Sequence, residues 1–150
     1  MNKLLTLKNQ AFQKYLDSTQ TPNPSLTISQ VPGAKSTWEF TKADDNSNLF
    51  KISNPSSGGT LVSPDIFTVD LVNSDGPMDN STWLIVPVKN VGNAIRIRRN
   101  DLFLTLDLTS DTLFLDALYP DERANEQIWI YKLEENWKYN FTFHMFIYEK

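Results

Sequence analysis

The sequence predicts an all-β domain built three times from one four-strand unit, and three observations carry that prediction. Trp38, Trp83 and Trp129 stand 45 and 46 residues apart. Apolar columns repeat with them: Leu5, Phe50 and Ile95, then Leu7, Ile52 and Ile97, then Leu16, Leu61 and Leu106, each at about the same step. A shorter echo, Ile28, Leu71 and Leu115, steps by 43 and 44. Finally, no segment sustains a helical period, whereas short runs alternate apolar and polar residues between turn formers. A fixed period of this length marks a repeat architecture, in which one unit cannot bury its apolar face alone. Propellers use similar units but need more blades, and no Gly-His or Trp-Asp signature occurs here. Three copies in 150 residues point to a β-trefoil, with repeats at about 3–45, 46–91 and 92–133 and an extension at 134–150.

Each repeat resolves into four strands. The first is expected at Leu4–Leu7, Leu49–Ile52 and Ala94–Ile97. The second follows at Lys14–Asp17, Thr60–Val62 and Phe103–Asp107, and the third at Leu26–Ile28, Phe67–Leu71 and Leu113–Leu115. The fourth carries the tryptophan: Thr37–Phe40, Thr82–Ile85 and Ile128–Tyr131. Turns such as 21–24, 54–59 and 74–77 are rich in Gly, Pro, Asn and Asp, which tolerate or pre-set turn dihedrals. A tryptophan that recurs once per unit reads as core before it reads as a ligand platform. The extension breaks the pattern. Trp137, Tyr139, Phe141, Phe143, Met145 and Ile147 alternate with mostly polar residues, the signature of a strand with one apolar face. Left uncovered it is an aggregation hazard, so the expectation is packing on the barrel or against another subunit, as a homodimer or within a larger complex.

The bulk numbers bound the function. A single domain of this size buries roughly 70% of its unfolded surface, and it needs no staple. With no cysteine, disulfides, thiolate catalysis and Cys-based zinc sites are excluded together. A net charge of −4 argues against nucleic acid, whose phosphates call for clustered Lys and Arg. Arg96, Arg98 and Arg99 form one basic cluster, and the alternation of Arg96 and Arg98 with Ile95 and Ile97 reads as the outward face of a strand. No apolar run reaches the ~20 residues of a membrane span. The opening residues are too short in apolar run for a signal-peptide core. A soluble protein is expected, cytoplasmic or secreted without a classical signal.

The order of the elements resembles the ricin-B-type β-trefoil lectins, whose repeats carry a Leu-Asp strand and a Gln-x-Trp strand. The third repeat matches best, with Leu106-Asp107 and Gln127-Ile128-Trp129. The first keeps Leu16-Asp17 but has Ser36-Thr37-Trp38, and the second, with Leu61-Val62 and Ser81-Thr82-Trp83, loses both the Asp and the Gln. The resemblance covers about residues 3–133. It implies a non-catalytic carbohydrate-binding protein whose partners are glycans or glycoproteins. In that family a carboxylate and a polar residue before the Gln-x-Trp triplet accept hydroxyl hydrogen bonds, and an aromatic supplies a face for the sugar's C–H side. Carried over, the third-repeat site comprises Asp107, Asn125, Glu126, Gln127 and Tyr119, and a first-repeat site rests on Asp17. The aromatic slot falls near Asp116, which is not aromatic; Tyr119 lies three residues on. Structural roles remain open beside these: Asp107 as a turn cap, Gln127 bonded to its own repeat's backbone, Tyr119 as a loop residue.

A second class of function is a loop-borne protein-binding module. The segment Phe50-Lys51-Ile52-Ser53-Asn54 is similar to trefoil subunits of clostridial haemagglutinin complexes, some of which serve toxin-complex assembly. Mushroom protease inhibitors on the same fold use surface loops, here 18–25, 54–59, 73–81 and 117–127; fold alone does not choose between these functions. No catalytic motif occurs, and neither cofactor nor metal is expected. The lone histidine, His144, falls on the polar side of the extension and reads as a surface residue. Asn80-Ser81-Thr82 and Asn140-Phe141-Thr142 match the glycosylation acceptor pattern but lie in or beside expected strands.

Overall fold

The computed structural model describes residues 3–19, 23–73, 78–107 and 109–133. The extension, with its alternating apolar face, His144 and Asn140, lies outside the described residues. Twelve strands appear among the described residues. The first repeat holds β1 (Lys3–Asn9), β2 (Tyr15–Ser18), β3 (Leu26–Ser29) and β4 (Thr37–Lys42). In the second are β5 (Leu49–Asn54), β6 (Gly59–Val62), β7 (Asp70–Val72) and β8 (Thr82–Pro87). The third holds β9 (Ala94–Arg99), β10 (Leu102–Asp107), β11 (Thr112–Asp116) and β12 (Trp129–Leu133).

Six of these strands close a barrel. β1 pairs with β4, β4 with β5, β5 with β8, β8 with β9, β9 with β12, and β12 with β1, every pair antiparallel. Closure removes the unpaired edges that would otherwise recruit other strands. The threefold symmetry is visible in the register: Leu5 faces Trp38, Phe50 faces Trp83, and Ile95 faces Trp129. Period-2 alternation turns two residues per barrel strand inward: Leu5 and Leu7, Trp38 and Phe40, Phe50 and Ile52, Trp83 and Ile85, Ile95 and Ile97, Trp129 and Tyr131. All of them are buried.

The remaining strands form three hairpins, β2–β3, β6–β7 and β10–β11. This is the β-trefoil. Each tryptophan ties barrel to hairpin: the indole N–H donates to Leu16 O at 3.0 Å, Leu61 O at 3.1 Å and Leu104 O at 3.2 Å. In each case the accepting leucine faces the hairpin's own apolar partner, Ile28, Leu71 or Leu115.

Two expectations need correction. The third-repeat counterpart of Leu16 and Leu61 is Leu104, not Leu106, because both the indole bond and the hairpin register select it. Phe67, expected in the third strand of its repeat, lies ahead of β7 in a loop, where Asp65 accepts bonds from the following residues and bends the chain.

A short turn precedes each tryptophan strand: Ala34–Ser36, Met78–Ser81 and Glu122–Gln127. Their last residues, Ser36, Ser81 and Gln127, are all buried. Adjacent repeats are joined here by asparagine. Asn9 Nδ2 donates to Glu126 O at 3.0 Å, and Asn54 Nδ2 donates to Lys35 O at 2.8 Å. In the third repeat Arg99 takes this place, donating to Thr82 O at 3.4 Å. Within the basic cluster, Arg98 pairs with Asp101 at 3.0 Å. Among the described residues, no helix is long and apolar enough to cross a membrane.

Candidate functional site

The third repeat gathers polar side chains at the foot of its hairpin, where the chain leaves β11 and enters the turn before β12. Gln127 organises them from below. Its amide is fully buried; Nε2 donates to Ala117 O at 2.8 Å and to Thr105 Oγ1 at 3.1 Å, while Oε1 accepts the Tyr119 backbone N–H at 3.0 Å. Gln127 is thus a positioning residue, engaged on both sides of its amide and closed to solvent. A buried amide of this kind is stable only because its groups are satisfied.

Above it, the Tyr119 hydroxyl donates to Asp116 Oδ2 at 2.6 Å. Asp116 Oδ1 accepts the Ala117 N–H at 2.8 Å. The Arg123 guanidinium lies 4.4 Å from the centre of the Tyr119 ring, a cation–π arrangement, and its Nε donates to Glu126 Oε2 at 3.3 Å. Asp121 caps this turn by accepting the Arg123 N–H at 2.9 Å. Tyr119, Glu126 and Gln127, singled out from sequence, therefore converge, and Asn125 sits exposed on the same turn. Its backbone carbonyl accepts the Ala11 N–H at 3.1 Å. Asp116 and Arg123 belong to the cluster as well. Sequence flagged Asp116 only as a missing aromatic and gave no signal for Arg123, because the spacing Tyr119, Arg123, Glu126 becomes meaningful only on a 3-10 turn.

Asp107 stands apart, at the tip of the β10–β11 hairpin opposite Thr112. Its Oδ1 accepts the Thr109 N–H and hydroxyl, both at 3.0 Å. These bonds, with one from the Ser110 hydroxyl, hold the carboxyl below the ordinary carboxylate range, and the charge of Arg123 adds to the effect. Asp107 is also two residues beyond the position that Asp17 takes in the first repeat. There Asp17 faces Thr27, next to the Leu16–Ile28 pair; the third-repeat residue in that register is Thr105, which faces Phe114. Asp17 accepts the Ser18 N–H at 2.8 Å and lies in a repeat whose Gln-x-Trp glutamine is Ser36.

The cluster's electrostatics are testable at Tyr119. Desolvation first, then the hydrogen bond to Asp116 and its charge, push the phenol up to about 12, against the pull of Arg123. A pKa raised above its unfolded value of ~10 means the neutral phenol is favoured by the fold. That contribution is complete below pH ~10 and is lost as pH rises through about 12. Difference titration of phenolate absorbance, wild type minus Tyr119→Phe, is expected to give a midpoint near 12. A midpoint near the unperturbed ~10 would remove the Asp116 contact from the folded state in solution.

No family model and no curated protein matches the chain. Solved structures do. A ricin B-like lectin from Macrolepiota procera, in complex with lactose, superposes with a TM-score of 0.67 at 20% identity, over 87% of this chain and 94% of that one. SeviL, bound to asialo-GM1 saccharide, gives 0.66 at 12% identity, over 88% and 98%. An endo-β-galactosidase from Clostridium perfringens that releases GlcNAcα1-4Gal gives 0.72 at 11% identity, covering 89% of this chain but 33% of the enzyme. At such identities the likeness concerns the fold, and it agrees with the closed barrel, the three hairpins and the three indole bonds: the chain is a β-trefoil.

Proposed function

We propose that the protein is a non-catalytic carbohydrate-binding module whose site lies in the third repeat. The observation that carries this reading is the cluster itself. Only there, among the described residues, does the Gln-x-Trp glutamine hold a loop bearing two carboxylates, a phenol and a guanidinium at the surface. Sugar hydroxyls need paired acceptors and donors, and hydrogen bonds to charged groups are the stronger ones. Asp116 and Glu126 accept, Arg123 donates, and Asn125 does both. Asp107 edges the same surface within reach of Arg123's charge, and Tyr119 fixes the direction of Asp116. A second, lesser site in the first repeat would rest on Asp17, although its register is that of Thr105 and not of Asp107. Structurally similar proteins include a ricin B-like lectin with lactose and SeviL with a saccharide bound, which supports the same reading.

A single shallow site of this kind binds with Kd near millimolar, about −4 kcal/mol. Useful avidity then calls for several sites in one particle, and an assembly through the apolar face of residues 137–147 supplies it. Light scattering of the full chain beside a 137–150 deletion is expected to show an oligomer reduced to monomer; an unchanged mass rules that seam out.

The test of the site is a glycan array at high protein concentration, with Asp116→Ala and Asp107→Ala beside the wild type. Loss of one charged acceptor is expected to weaken binding at least about tenfold. The larger loss is expected at Asp116, because Asp107 is partly occupied by its own turn. A folded wild type that is silent on the array overturns the reading. It would favour the loop-borne protein-binding module instead, for which the exposed apolar residues Ile66, Phe67 and Leu118 speak.

A further inference from the structure

The seam between the second and third repeats breaks the threefold pattern. Asn9 and Asn54, the last residues of β1 and β5, are fully buried. Each accepts backbone N–H groups from the chain that follows it: Asn9 Oδ1 from Ala11 at 3.0 Å and Phe12 at 3.3 Å, Asn54 Oδ1 from Ser57 at 3.0 Å. The connections that fold back in this way are residues 10–14 before β2 and 55–58 before β6. Between β9 and β10 only residues 100 and 101 remain. Asn100, at φ 55°, makes this tight turn in the left-handed region that asparagine tolerates. No chain is left to fold back, and the residue at the asparagine position is Arg99.

The short turn leaves open a cavity of about 290 Å³ on the outer wall of the barrel, lined by Leu49, Thr82, Leu84, Arg98, Arg99 and Asn100. Leu49, Leu84 and Arg98 stand side by side across β5, β8 and β9 in direct register. The two leucines thus form an apolar floor with Arg98 at its edge. Arg99 reaches toward β8 from the next position, donating to Thr82 O at 3.4 Å. Arg98 is braced by the turn, its Nε donating to Asn100 O and a terminal nitrogen to Asp101 at 3.0 Å. The Asp101 side chain is 96% exposed, so water screens that pair and it contributes little. Each guanidinium carries five N–H donors, and these bonds use two on Arg98 and one on Arg99.

We propose that this cavity binds a small free carboxylic acid as its anion. The carboxylate is held between Arg98 and Arg99, and a branched aliphatic body lies on Leu49 and Leu84. The planar fork of a guanidinium matches a carboxylate, and Asn100 at the rim adds an amide donor. A phosphate fits worse, because its further charge and oxygens would have to be desolvated against leucine. The volume restricts the ligand to a small molecule, at the lower end of the roughly 300–1,000 Å³ usual for ligand pockets. None of these residues belongs to the third-repeat cluster, so the inference goes beyond the carbohydrate reading and does not depend on it.

The experiment is an NMR titration of the full chain with isocaproate, with isocaproamide, acetate and inorganic phosphate beside it. Saturable shifts are expected with isocaproate at a Kd of about 1 mM. Acetate, which lacks the body, is expected to bind at least about tenfold more weakly, and neither the amide nor phosphate to saturate. Arg99→Gln is expected to weaken isocaproate binding about tenfold or more. Asp101→Asn removes the competing carboxylate and is expected to tighten it about two- to threefold. That exposed substitution, and the comparison of acid with amide on the wild type, keep the test decisive should Arg99→Gln melt early. A wild type that does not saturate by about 20 mM isocaproate overturns the proposal. So does equal binding of acid and amide, equal binding of acetate, unchanged binding in Arg99→Gln, or loosened binding in Asp101→Asn. A protein silent on every glycan that still titrates with isocaproate supports this site and overturns the carbohydrate reading alone.

Discussion

Trp38→Ala is expected to lower the free energy of unfolding by about 4–6 kcal/mol. Removing a buried tryptophan side chain costs about 3–5 kcal/mol through lost transfer energy and the cavity left behind. To that is added about 1 kcal/mol or more for the Leu16 carbonyl, whose indole donor at 3.0 Å disappears. Trp38 lies wholly out of solvent, faces Leu5 across the barrel seam, and joins β4 to the first hairpin, so neither layer can close over the void alone. Trp38→Phe separates the two causes. It keeps much of the volume and loses the donor, with an expected cost of about 1–3 kcal/mol. Chemical denaturation of the three proteins checks this. A domain with 5–15 kcal/mol to lose would be left marginal by the alanine variant, and a deficit below about 1.5 kcal/mol would mean that the indole is not the tie the geometry describes.

Gln127→Ala is expected to cost about 2–4 kcal/mol and to remove the proposed glycan binding with it. Two groups lose their partner at once, the Tyr119 N–H and the Ala117 carbonyl, and the Thr105 hydroxyl, which still donates to Phe103 O, loses the donor it accepts from. Each buried group left unpaired costs about 1–3 kcal/mol before relaxation. Hydrogen exchange at the Tyr119 amide should accelerate more than at the Trp38 strand, which is remote from the lesion. Gln127→Glu sharpens the test through pH. Its carboxyl would sit in the same buried place beside the Ala117 carbonyl, where the charged form is disfavoured, so its folded pKa lies above the unfolded value of ~4.3. A group shifted upward stabilises the fold below its unfolded pKa and loses that contribution as pH rises. The Glu variant should therefore fall further below wild type in melting temperature at pH 7 than at pH 4. A gap that does not widen with pH would mean the pocket is wet.

Much of the fold was legible because its cause is repeated. A tryptophan every 45 or so residues and two inward residues per barrel strand reappear three times, so chance matches average out. The candidate site was legible only where side chains follow a motif, as Gln127 does, whose buried amide holds the Ala117–Tyr119 backbone. The slip from Leu104 to Leu106 has a clear origin. A shift of one residue in a strand turns every side chain to the other face, but a shift of two leaves inside and outside unchanged. β10, with Leu102, Leu104 and Leu106 in alternation and six residues against four in β2 and β6, offers both registers equally to a reader of periodicity. The Trp129 indole and the pairing of Leu104 with Leu115 choose between them. Phe67 went astray for another reason: the run Phe67 to Leu71 alternates like a strand, and the Asp65 bonds that bend it are local polar contacts that periodicity does not register. Arg123 was invisible because nothing in its neighbours announces a ring above which to lie.

The pairing of β12 with β1 sets a schedule for synthesis. Tyr131 meets Leu7 and Leu133 meets Leu5, so the ring cannot be joined until nearly every described residue has left the ribosome. Until then the first strand has β4 on one side and nothing on the other. Contacts between such distant residues form late and slowly in refolding chains. Until β12 emerges, the nascent chain is thus expected to remain an open, sticky arc of strands, and holdase chaperones would meet it at that stage.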